Sequence, residues 1–345
     1  MPEITSEEQR AKLQSYEKGF FAIYLMEIGI DLGIFKKLNS LDKGMTPRSL
    51  ASELGIHEPY VTFWCKTAYH LEIIDCDEKG RFKLAPHMDT LLADNENPYY
   101  FGPTINMRVR FSAEHLKMFP QCFKSGETLS PEVYSDDFSK AQKAMSDQGI
   151  PAAYIFVLIP SVQGLRERLD AGIRILDVGC GSGLLMVQLA KAFPNCKFVG
   201  VEVDKFAVED ARKQIRDNDV QDRVVALYVD ADGIDYDREF DLVNLSLVLH
   251  EIKRDKRYSS MAKSYKALKD SGEVIVFDFA YPEKLQDLRK PQYTAGILDQ
   301  FNELTRGSEL LPKAEKHRLL LELGFKDPTT VSLLGGSFEV THARK

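Results

Sequence analysis

The sequence predicts an α/β fold with a mostly parallel sheet that closes with an antiparallel hairpin, preceded by a helical region. Apolar runs of strand length alternate with amphipathic segments through the C-terminal half. A three-glycine turn follows the first of these runs, as at a strand-to-helix junction. The N-terminal part has helical periodicity and one short pair of strand-like runs. We therefore predict three parts: residues 1–96, a helical connection at 97–162, and the α/β domain at 163–345.

The first predicted element is one helix over residues 6–38. Its large apolar side chains recur every three or four residues, which is the spacing of a single helix face. These side chains form the apolar stripe: Phe20, Phe21, Tyr24, Leu25, Ile28 and Leu32. Such a stripe has to be buried against another surface.

The next elements have the order of a winged helix. Thr46 is a favourable N-cap, Pro47 suits the first helical position, and Gly55 ends a short helix. A second helix is predicted over residues 57–71, and a hairpin over 73–84. Helix, turn, helix and hairpin together indicate a winged-helix domain.

Charge argues against nucleic acid as the partner of this domain. Residues 41–96 contain six basic and ten acidic side chains. The whole chain has 45 basic and 52 acidic residues, a net charge of −7. Since DNA affinity depends on contacts between cations and phosphates, and anionic membranes attract basic surfaces, a small-molecule partner is favoured.

The connection at residues 97–162 has irregular helical periodicity and many large side chains. Two interpretations are open, because aromatic side chains either form core between helices or line a ligand pocket. The side chains concerned are Tyr99, Tyr100, Phe101, Met107, Phe111, Met118, Phe119, Tyr134 and Phe138.

The glycine turn indicates a site for a nucleotide-like ligand without phosphate. Gly179, Gly181 and Gly183 follow an apolar run that contains Asp177. In a dinucleotide fingerprint the third glycine would fall at Leu184, and no Lys-Ser or Lys-Thr follows for a P-loop. The Asp177 carboxylate would also repel a pyrophosphate, but not a cationic ligand.

Four further segments continue the pattern in order. The strand-like run 196–204 contains Glu202, and the run 223–232 contains Asp230. A fourth strand at residues 240–251 ends near a histidine, and a fifth follows at 268–278. In this order, the segments resemble class I S-adenosylmethionine-dependent methyltransferases.

That resemblance implies a Rossmann-like class I methyltransferase domain with a seven-stranded sheet, and S-adenosylmethionine as cofactor. It implies that Glu202 binds the ribose hydroxyls and that Asp230 accepts a hydrogen bond from the adenine amino group. The full set of expected cofactor-binding residues is Asp177, Gly179, Gly181, Gly183, Glu202, Val203, Asp230, Ala231 and Ser246.

The N-terminal pattern resembles the dimerisation domain of small-molecule O-methyltransferases. The resemblance implies a homodimer whose N-terminal helices interlock, and an acceptor pocket covered by residues 97–162. The last part of the α/β domain, residues 326–343, reads as the hairpin that closes the sheet in these proteins.

His250 is the candidate catalytic residue. It follows the fourth strand directly, and in plant-type O-methyltransferases a histidine at the matching position is the general base. The alternative is a histidine at a helix start that bonds to the backbone. Glu303 and Glu309 are the candidate acidic partners. No metal is expected, because the strand exit offers Ser246 and two apolar residues instead of carboxylates.

The sequence therefore predicts a methyltransferase for a small-molecule acceptor, with O-methylation as the main reading. A winged-helix regulator that senses S-adenosylmethionine and a binding subunit without catalysis remain alternatives. The five cysteines lack metal-ligand spacing and a paired framework, which favours a reducing cytoplasm. The polar N-terminus indicates neither a signal peptide nor a membrane span.

Overall fold

The computed structural model describes residues 4–129 and 135–345. The chain divides into two compact units, Met1–His115 and Leu116–Lys345. This division does not test the role assigned to residues 97–162, so the three-part organisation stays a prediction.

The first unit is helical with one small sheet. A π-helical segment, Met107–Ser112, follows its last complete helix. The helices and strands are α1 (Ser6–Asp31), α2 (Ile34–Asn39), α3 (Pro47–Leu54), α4 (Glu58–His70), β1 (Ile74–Cys76), β2 (Phe82–Leu84), α5 (Met88–Leu92) and α6 (Gly102–Asn106).

The single helix predicted over residues 6–38 is wrong in one respect, because the chain breaks between α1 and α2. Leu32 ends α1 by donating its N–H to Ile28 O, and Gly33 adopts φ 69°. A left-handed residue stops a helix, and glycine reaches that conformation at little cost. The periodicity continues across the break, which is why the sequence pattern missed it.

The capped helix and the hairpin are confirmed. Thr46 Oγ1 accepts a hydrogen bond from Ser49 N, Pro47 begins α3, and Gly55 ends it at φ 68°. Strands β1 and β2 pair antiparallel, with Ile74 opposite Leu84. The unit therefore contains the helix, turn, helix and hairpin on which the winged-helix prediction rests.

Helix α7 (Ala113–Ser125) begins in the first unit and ends in the second. A π-helical segment, Tyr154–Leu158, joins α9 to α10. The other elements of the second unit are α8 (Asp136–Asp147), α9 (Ile150–Ala153), α10 (Ile159–Ser161), α11 (Leu165–Ala171), β3 (Arg174–Val178), α12 (Leu184–Ala192), β4 (Lys197–Glu202), α13 (Lys205–Asp217), β5 (Val224–Tyr228), β6 (Phe240–Ser246), α14 (Arg254–Ala267), β7 (Leu268–Phe279), α15 (Thr294–Glu303), α16 (Lys313–Glu322), β8 (Lys326–Leu333) and β9 (Phe338–Arg344).

The second unit contains the predicted seven-stranded sheet. Its strand order is β5-β4-β3-β6-β7-β9-β8. The first five strands of that order are parallel, and β9 lies antiparallel between β7 and β8. The mostly parallel sheet and its closing hairpin are therefore confirmed.

Apolar side chains cover both faces of this sheet. Ile175 belongs to one buried cluster and its neighbour Leu176 to the other, as the alternation of a strand requires. A parallel sheet with two covered faces leaves its carboxyl edge as the place for a ligand. The ends of β3, β4 and β6 meet at that edge.

Among the described helices, none by itself combines the length and apolar character needed to cross a membrane. One pair, Asp136–Ser161 with Leu165–Ala171, meets these criteria when its members are joined, and the two are bent by 112°.

Candidate functional site

A cavity of about 680 Å³ lies in the second unit at the carboxyl ends of β3, β4 and β6. Six of the nine residues expected to bind the cofactor line it: Asp177, Gly179, Gly181, Glu202, Val203 and Ser246. Gly183, Asp230 and Ala231 are not among the lining residues.

All three glycines have positive φ, but an added side chain would meet different surroundings at each of them. A Cβ on Gly179 would lie 2.4 Å from Val248 Cγ2, and one on Gly183 would lie 2.9 Å from Ala211 Cβ. A Cβ on Gly181 would meet nothing within 4 Å. Gly179 and Gly183 therefore permit close packing inside the protein, while Gly181 leaves open space at the cavity.

The Glu202 carboxylate is held by the backbone at the end of β4. Its Oε1 accepts hydrogen bonds from Val203 N at 2.7 Å and Asp204 N at 2.8 Å. Its Oε2 accepts one from Gly181 N at 3.0 Å. Burial raises the pKa of Glu202, and these N–H groups partly oppose that rise. The turn and the acid thus form one rigid unit.

Asp177 ends a buried chain of polar side chains. Asn244 Nδ2 donates to Asp177 Oδ1 at 2.6 Å, and the Tyr154 hydroxyl donates to Asn244 Oδ1 at 2.8 Å. Burial raises the pKa of Asp177 to about 7, against the opposing effect of the Asn244 hydrogen bond. The sequence analysis missed Asn244 and Tyr154, although an asparagine within the apolar run of β6 is a visible signal.

Asp230 interacts with a lysine. Lys256 Nζ lies 2.8 Å from Asp230 Oδ2 and 3.0 Å from Asp232 Oδ2. Burial alone would raise the pKa of Asp230, but the hydrogen bond and charge of Lys256 lower it below its ordinary value. The structure therefore places Asp230 in an ion pair beside the site.

Ser246 ends β6 and lines the cavity. Its Oγ is buried and has no hydrogen-bond partner among the described residues. Because an unsatisfied buried hydroxyl carries a free-energy cost, this atom is suited to bond with a ligand.

Helix α8 provides a further wall of the cavity and bonds to the sheet edge. Ser139 Oγ donates to Asp204, the N-cap residue of α13, and Ser182 Oγ donates to Asp147 Oδ1 at 2.6 Å. Phe138 also lines the cavity. Tyr134, another aromatic of the predicted connection, lies outside the described residues.

His250 is 3% exposed and lies among three carboxylates. Its Nδ1 is 2.7 Å from Asp278 Oδ1, and its Nε2 is 3.5 Å from Glu303 Oε2 and 3.9 Å from Asp299 Oδ2. Burial lowers the pKa of His250, but the charge of the nearby Asp278 carboxylate, together with Glu303, raises it well above its ordinary range.

These contacts settle which acids lie near the imidazole. Glu303 was anticipated, whereas the Glu309 side chain is directed to Arg257, whose Nη1 is 3.5 Å from Glu309 Oε2. Asp278, at the end of β7, was missed because it is distant in sequence from His250. The alternative of a helix-start histidine does not match, since α14 begins at Arg254.

His250 does not line the cavity, but the adjacent Glu251 does. Gln142 Nε2 donates to Glu251 Oε1 at 3.3 Å. Glu251 is exposed at the cavity surface, and partial desolvation by the cavity walls, together with the charge of Glu303, raises its pKa above the ordinary value. Glu251 is therefore a cavity carboxyl that the sequence analysis did not single out.

His250, Asp299 and Glu303 offer ligand atoms that all lie within 4.8 Å of one another. In the described parts of the chain this is the one group with such spacing. A protonated imidazole between carboxylates has the same arrangement and needs no metal.

The sheet edge of this site lies in a region that matches a known domain family. Residues 169–316 match the family model of the methyltransferase domain. The chain is 29% identical to 27-O-demethylrifamycin SV methyltransferase of Amycolatopsis mediterranei over 157 residues, which is 42% of this chain and 57% of that one. The chain spans between 9% and 57% of the length of the first three curated relatives.

Solved structures match over nearly the whole chain. Human N-acetylserotonin methyltransferase in complex with SAM has a TM-score of 0.76 at 19% identity, covering 99% of both chains. PigF with SAH has a TM-score of 0.80 at 16% identity, covering 99% of this chain and all of that one. At such identities the likeness establishes the fold alone.

Proposed function

We propose that this chain, whose residues 169–316 form a methyltransferase domain, transfers a methyl group from S-adenosylmethionine to a hydroxyl of a small molecule. The observation that carries this proposal is the Glu202 carboxylate, which three backbone N–H groups hold beside the open Gly181 position. A fixed carboxylate suits a pair of ribose hydroxyls and disfavours a phosphate.

The residues present fit such a cofactor. Glu202 would accept from the ribose, the missing Cβ of Gly181 leaves room beside the turn, and Ser246 has a buried hydroxyl without a described partner. Asp230 and Ala231 follow β5 and stay in the proposed set for the adenine. When bound, the cofactor supplies an electrophilic methyl group on a sulfonium.

We assign proton removal to His250. Asp278 Oδ1 lies 2.7 Å from Nδ1 and would stabilise the imidazolium that forms when Nε2 accepts the proton of the acceptor hydroxyl. Because methyl transfer is an in-line displacement, positioning in a cavity that excludes water supplies much of the remaining rate. The proposed reaction uses no metal.

The test is methyl transfer itself. Purified protein would be incubated with S-adenosylmethionine and a panel of phenols and other hydroxylated small molecules, and S-adenosylhomocysteine and methylated product would be measured by chromatography. We expect both products in equal amounts. Ligand binding without turnover over a broad panel would instead favour a binding subunit, and specific gel shifts with genomic DNA would favour a regulator.

A homodimer is the proposed assembly. Four members of the apolar stripe on α1, Phe20, Phe21, Ile28 and Leu32, are between 42% and 57% exposed, whereas Leu25 is buried. A contiguous exposed apolar surface of this kind is typical of a protein interface.

The assembly can be tested by sedimentation at micromolar concentration. The wild type should sediment as a dimer, and the double variant Phe20→Glu, Phe21→Glu as a monomer. Ser15→Glu is the control, because Ser15 is exposed on the same helix but lies on a face away from the stripe. A monomeric wild type would contradict the proposal.

The remaining proposals concern the cellular compartment of the protein and the role of residues 97–162. All five cysteines are free thiols, which supports a reducing compartment such as the cytoplasm. We propose that residues 97–162 include the cover of the acceptor pocket, supported by α8 in the cavity wall. Nucleic acid and membrane partners are not part of the proposed function.

A further inference from the structure

Two buried carboxylates lie opposite each other where β7 and β9 pair. Asp278 of β7 and Glu339 of β9 are register partners in the antiparallel ladder, so their side chains lie on the same face of the sheet. They are 1% and 8% exposed. Like charges directly opposite each other destabilise a sheet, and burial increases the cost. Two ionised carboxylates at this position therefore need a cation nearby.

Helix α16 supplies that cation. The Lys316 ammonium forms an ion pair with the Glu339 carboxylate, and Lys316 is only 2% exposed. Leu320 lies one turn further along the same face of α16. It belongs to the same apolar cluster as Val276, which shares a sheet face with Asp278. The buried lysine therefore lies over the face that carries both carboxylates.

Lys316 acts on Asp278 as well as on Glu339. Burial alone would raise the pKa of Asp278, but the charges of His250 and Lys316 lower it below its ordinary value. Asp278 Oδ1 lies 2.7 Å from His250 Nδ1. A general base has to be neutral before it accepts a proton, and a neutral imidazole no longer compensates this carboxylate. The compensation from Lys316 does not change when His250 loses its proton.

The other charged side chains near His250 and Asp278 come from α14, α15 and the segments that follow β6 and α15: Glu251, Arg257, Asp299, Glu303 and Arg306. Asp299 and Glu303 face Nε2 of the imidazole. Arg306 pairs with Glu303, and Arg257 interacts with Asp278 by its charge but donates to Glu309 O at 3.0 Å. Lys316 is thus the cation placed over the pair of Asp278 and Glu339.

We propose that Lys316 is a positioning residue for His250. Its charge keeps the Asp278 carboxylate ionised beside Nδ1, so that the neutral imidazole carries its proton on Nδ1 and offers the lone pair of Nε2. When Nε2 accepts the proton of the acceptor hydroxyl, Lys316 and Asp278 keep their own charges. This inference rests on the proposed function, because that function makes His250 a base.

The experiment is a pH titration of the imidazole in the full-length protein, which needs neither cofactor nor acceptor. Histidine labelled with ¹⁵N and with ¹³C at Cε1 reports the charge and the tautomer of each of the seven histidines by NMR. The signal that is missing in His250→Ala identifies His250. In the wild type we expect the neutral form to carry its proton on Nδ1.

The variants change one charge at a time. Lys316→Met should raise the midpoint of His250 by about one pH unit, as for a positive charge removed from on the order of 10 Å away at an effective dielectric constant of about 20. Lys316→Arg keeps the charge and should keep the midpoint. Glu339→Gln removes a negative charge and should lower the midpoint.

Lys313→Met is the matched control, because Lys313 is exposed on the same helix and its loss removes the same charge. It should leave the midpoint unchanged. If Lys316→Met does not fold, Glu339→Gln is compared with the double variant Glu339→Gln, Lys316→Met. These two proteins differ only at Lys316, and the double variant should have the higher midpoint.

Three results would overturn the inference. One is an unchanged midpoint in Lys316→Met with only the melting temperature lowered, since the ion pair would then serve the fold alone. The others are an equal shift in Lys313→Met and a neutral wild-type imidazole that carries its proton on Nε2.

Kinetics separate this inference from the proposed function. Absence of methyl transfer in the wild type would overturn the proposed function, while the titration of His250 still tests the action of Lys316 on the imidazole. Where methyl transfer is found, kcat of Lys316→Met should be about tenfold lower at a pH below both midpoints, with an unchanged KM for S-adenosylmethionine. It should recover as the pH rises, and a loss that persists at every pH would contradict the inference.

Discussion

The edge of the sheet around Glu202 and the cluster around His250 both contain acidic side chains, but they are built in different ways. At the sheet edge, backbone N–H groups hold the Glu202 carboxylate next to the glycine turn. Around His250, side chains from β7 and α15 meet in a buried cluster. The first arrangement needs only a short motif, while the second needs the whole sheet to be folded. We infer that the region around Glu202 binds the cofactor and that the region around His250 takes part in methyl transfer.

The largest expected effect separates these roles. His250→Ala should lower turnover by about 10²- to 10⁴-fold, the contribution of a general base, with S-adenosylhomocysteine affinity unchanged. In the wild type, turnover should rise with pH and have its midpoint above the ordinary histidine value of 6.5, because the imidazole must lose its proton first and nearby carboxylates raise its pKa.

His317→Ala is the control for this experiment, since His317 bonds to Thr330 Oγ1 and does not line the cavity. It should retain full turnover. Full activity in His250→Ala, with the loss appearing instead in Glu251→Gln, would assign proton removal to the carboxyl that lines the cavity.

A smaller effect is expected from the partner of His250. Asp278→Asn should lower turnover by about 10- to 10²-fold, because the base remains but loses the carboxylate that orients it, which is part of the general-base contribution. Cofactor affinity and the melting temperature would be measured beside turnover. If affinity falls as much as turnover, the two regions are not separate.

Only part of the His250 cluster, namely His250 and Glu303, could be predicted from the sequence. The glycine turn and the acid at the end of the next strand are local patterns that can be predicted from the sequence, and the structure brings Gly181 and Glu202 into contact. Asp278 could be placed near His250 only once β7 lay beside β6. Asn244 stands out within an apolar run, but its contact with Asp177 needs β3 and β6 to be paired. The break at Gly33 was missed because helical periodicity continues across it.

Helix α8 is a second case in which the sequence alone does not reveal a residue's place in the fold. Lys143 and Asp147 have the spacing of any surface ion pair on a helix, and only the fold turns them towards the glycine turn. Asp230 is the opposite case, because the motif singles it out but the structure places it in an ion pair with Lys256.

The smallest expected effect concerns Asp177. Its raised pKa of about 7 means that it is neutral below that pH and ionised above it. The affinity for cationic S-adenosylmethionine should therefore rise relative to that for neutral S-adenosylhomocysteine between pH 6 and 8. We expect at least about 1 kcal/mol, or roughly fivefold, because a pair of opposite charges about 4 Å apart contributes that much even when water screens it fully.

Calorimetric titrations of the two ligands at several pH values check this expectation. In Asp177→Asn the ratio of affinities should stay flat over the same range. A wild-type ratio that falls as the pH rises would show that this carboxyl does not interact favourably with the sulfonium.

The central claim is that Glu202 and the glycine turn bind the ribose of S-adenosylmethionine. Titration calorimetry of the wild type and Glu202→Ala with S-adenosylhomocysteine tests it most directly. The account predicts saturable 1:1 binding that weakens by about 1.5–3 kcal/mol in the variant, the range for hydrogen bonds to a charged group. Equal affinity in the two proteins, or no binding to the wild type, would contradict it.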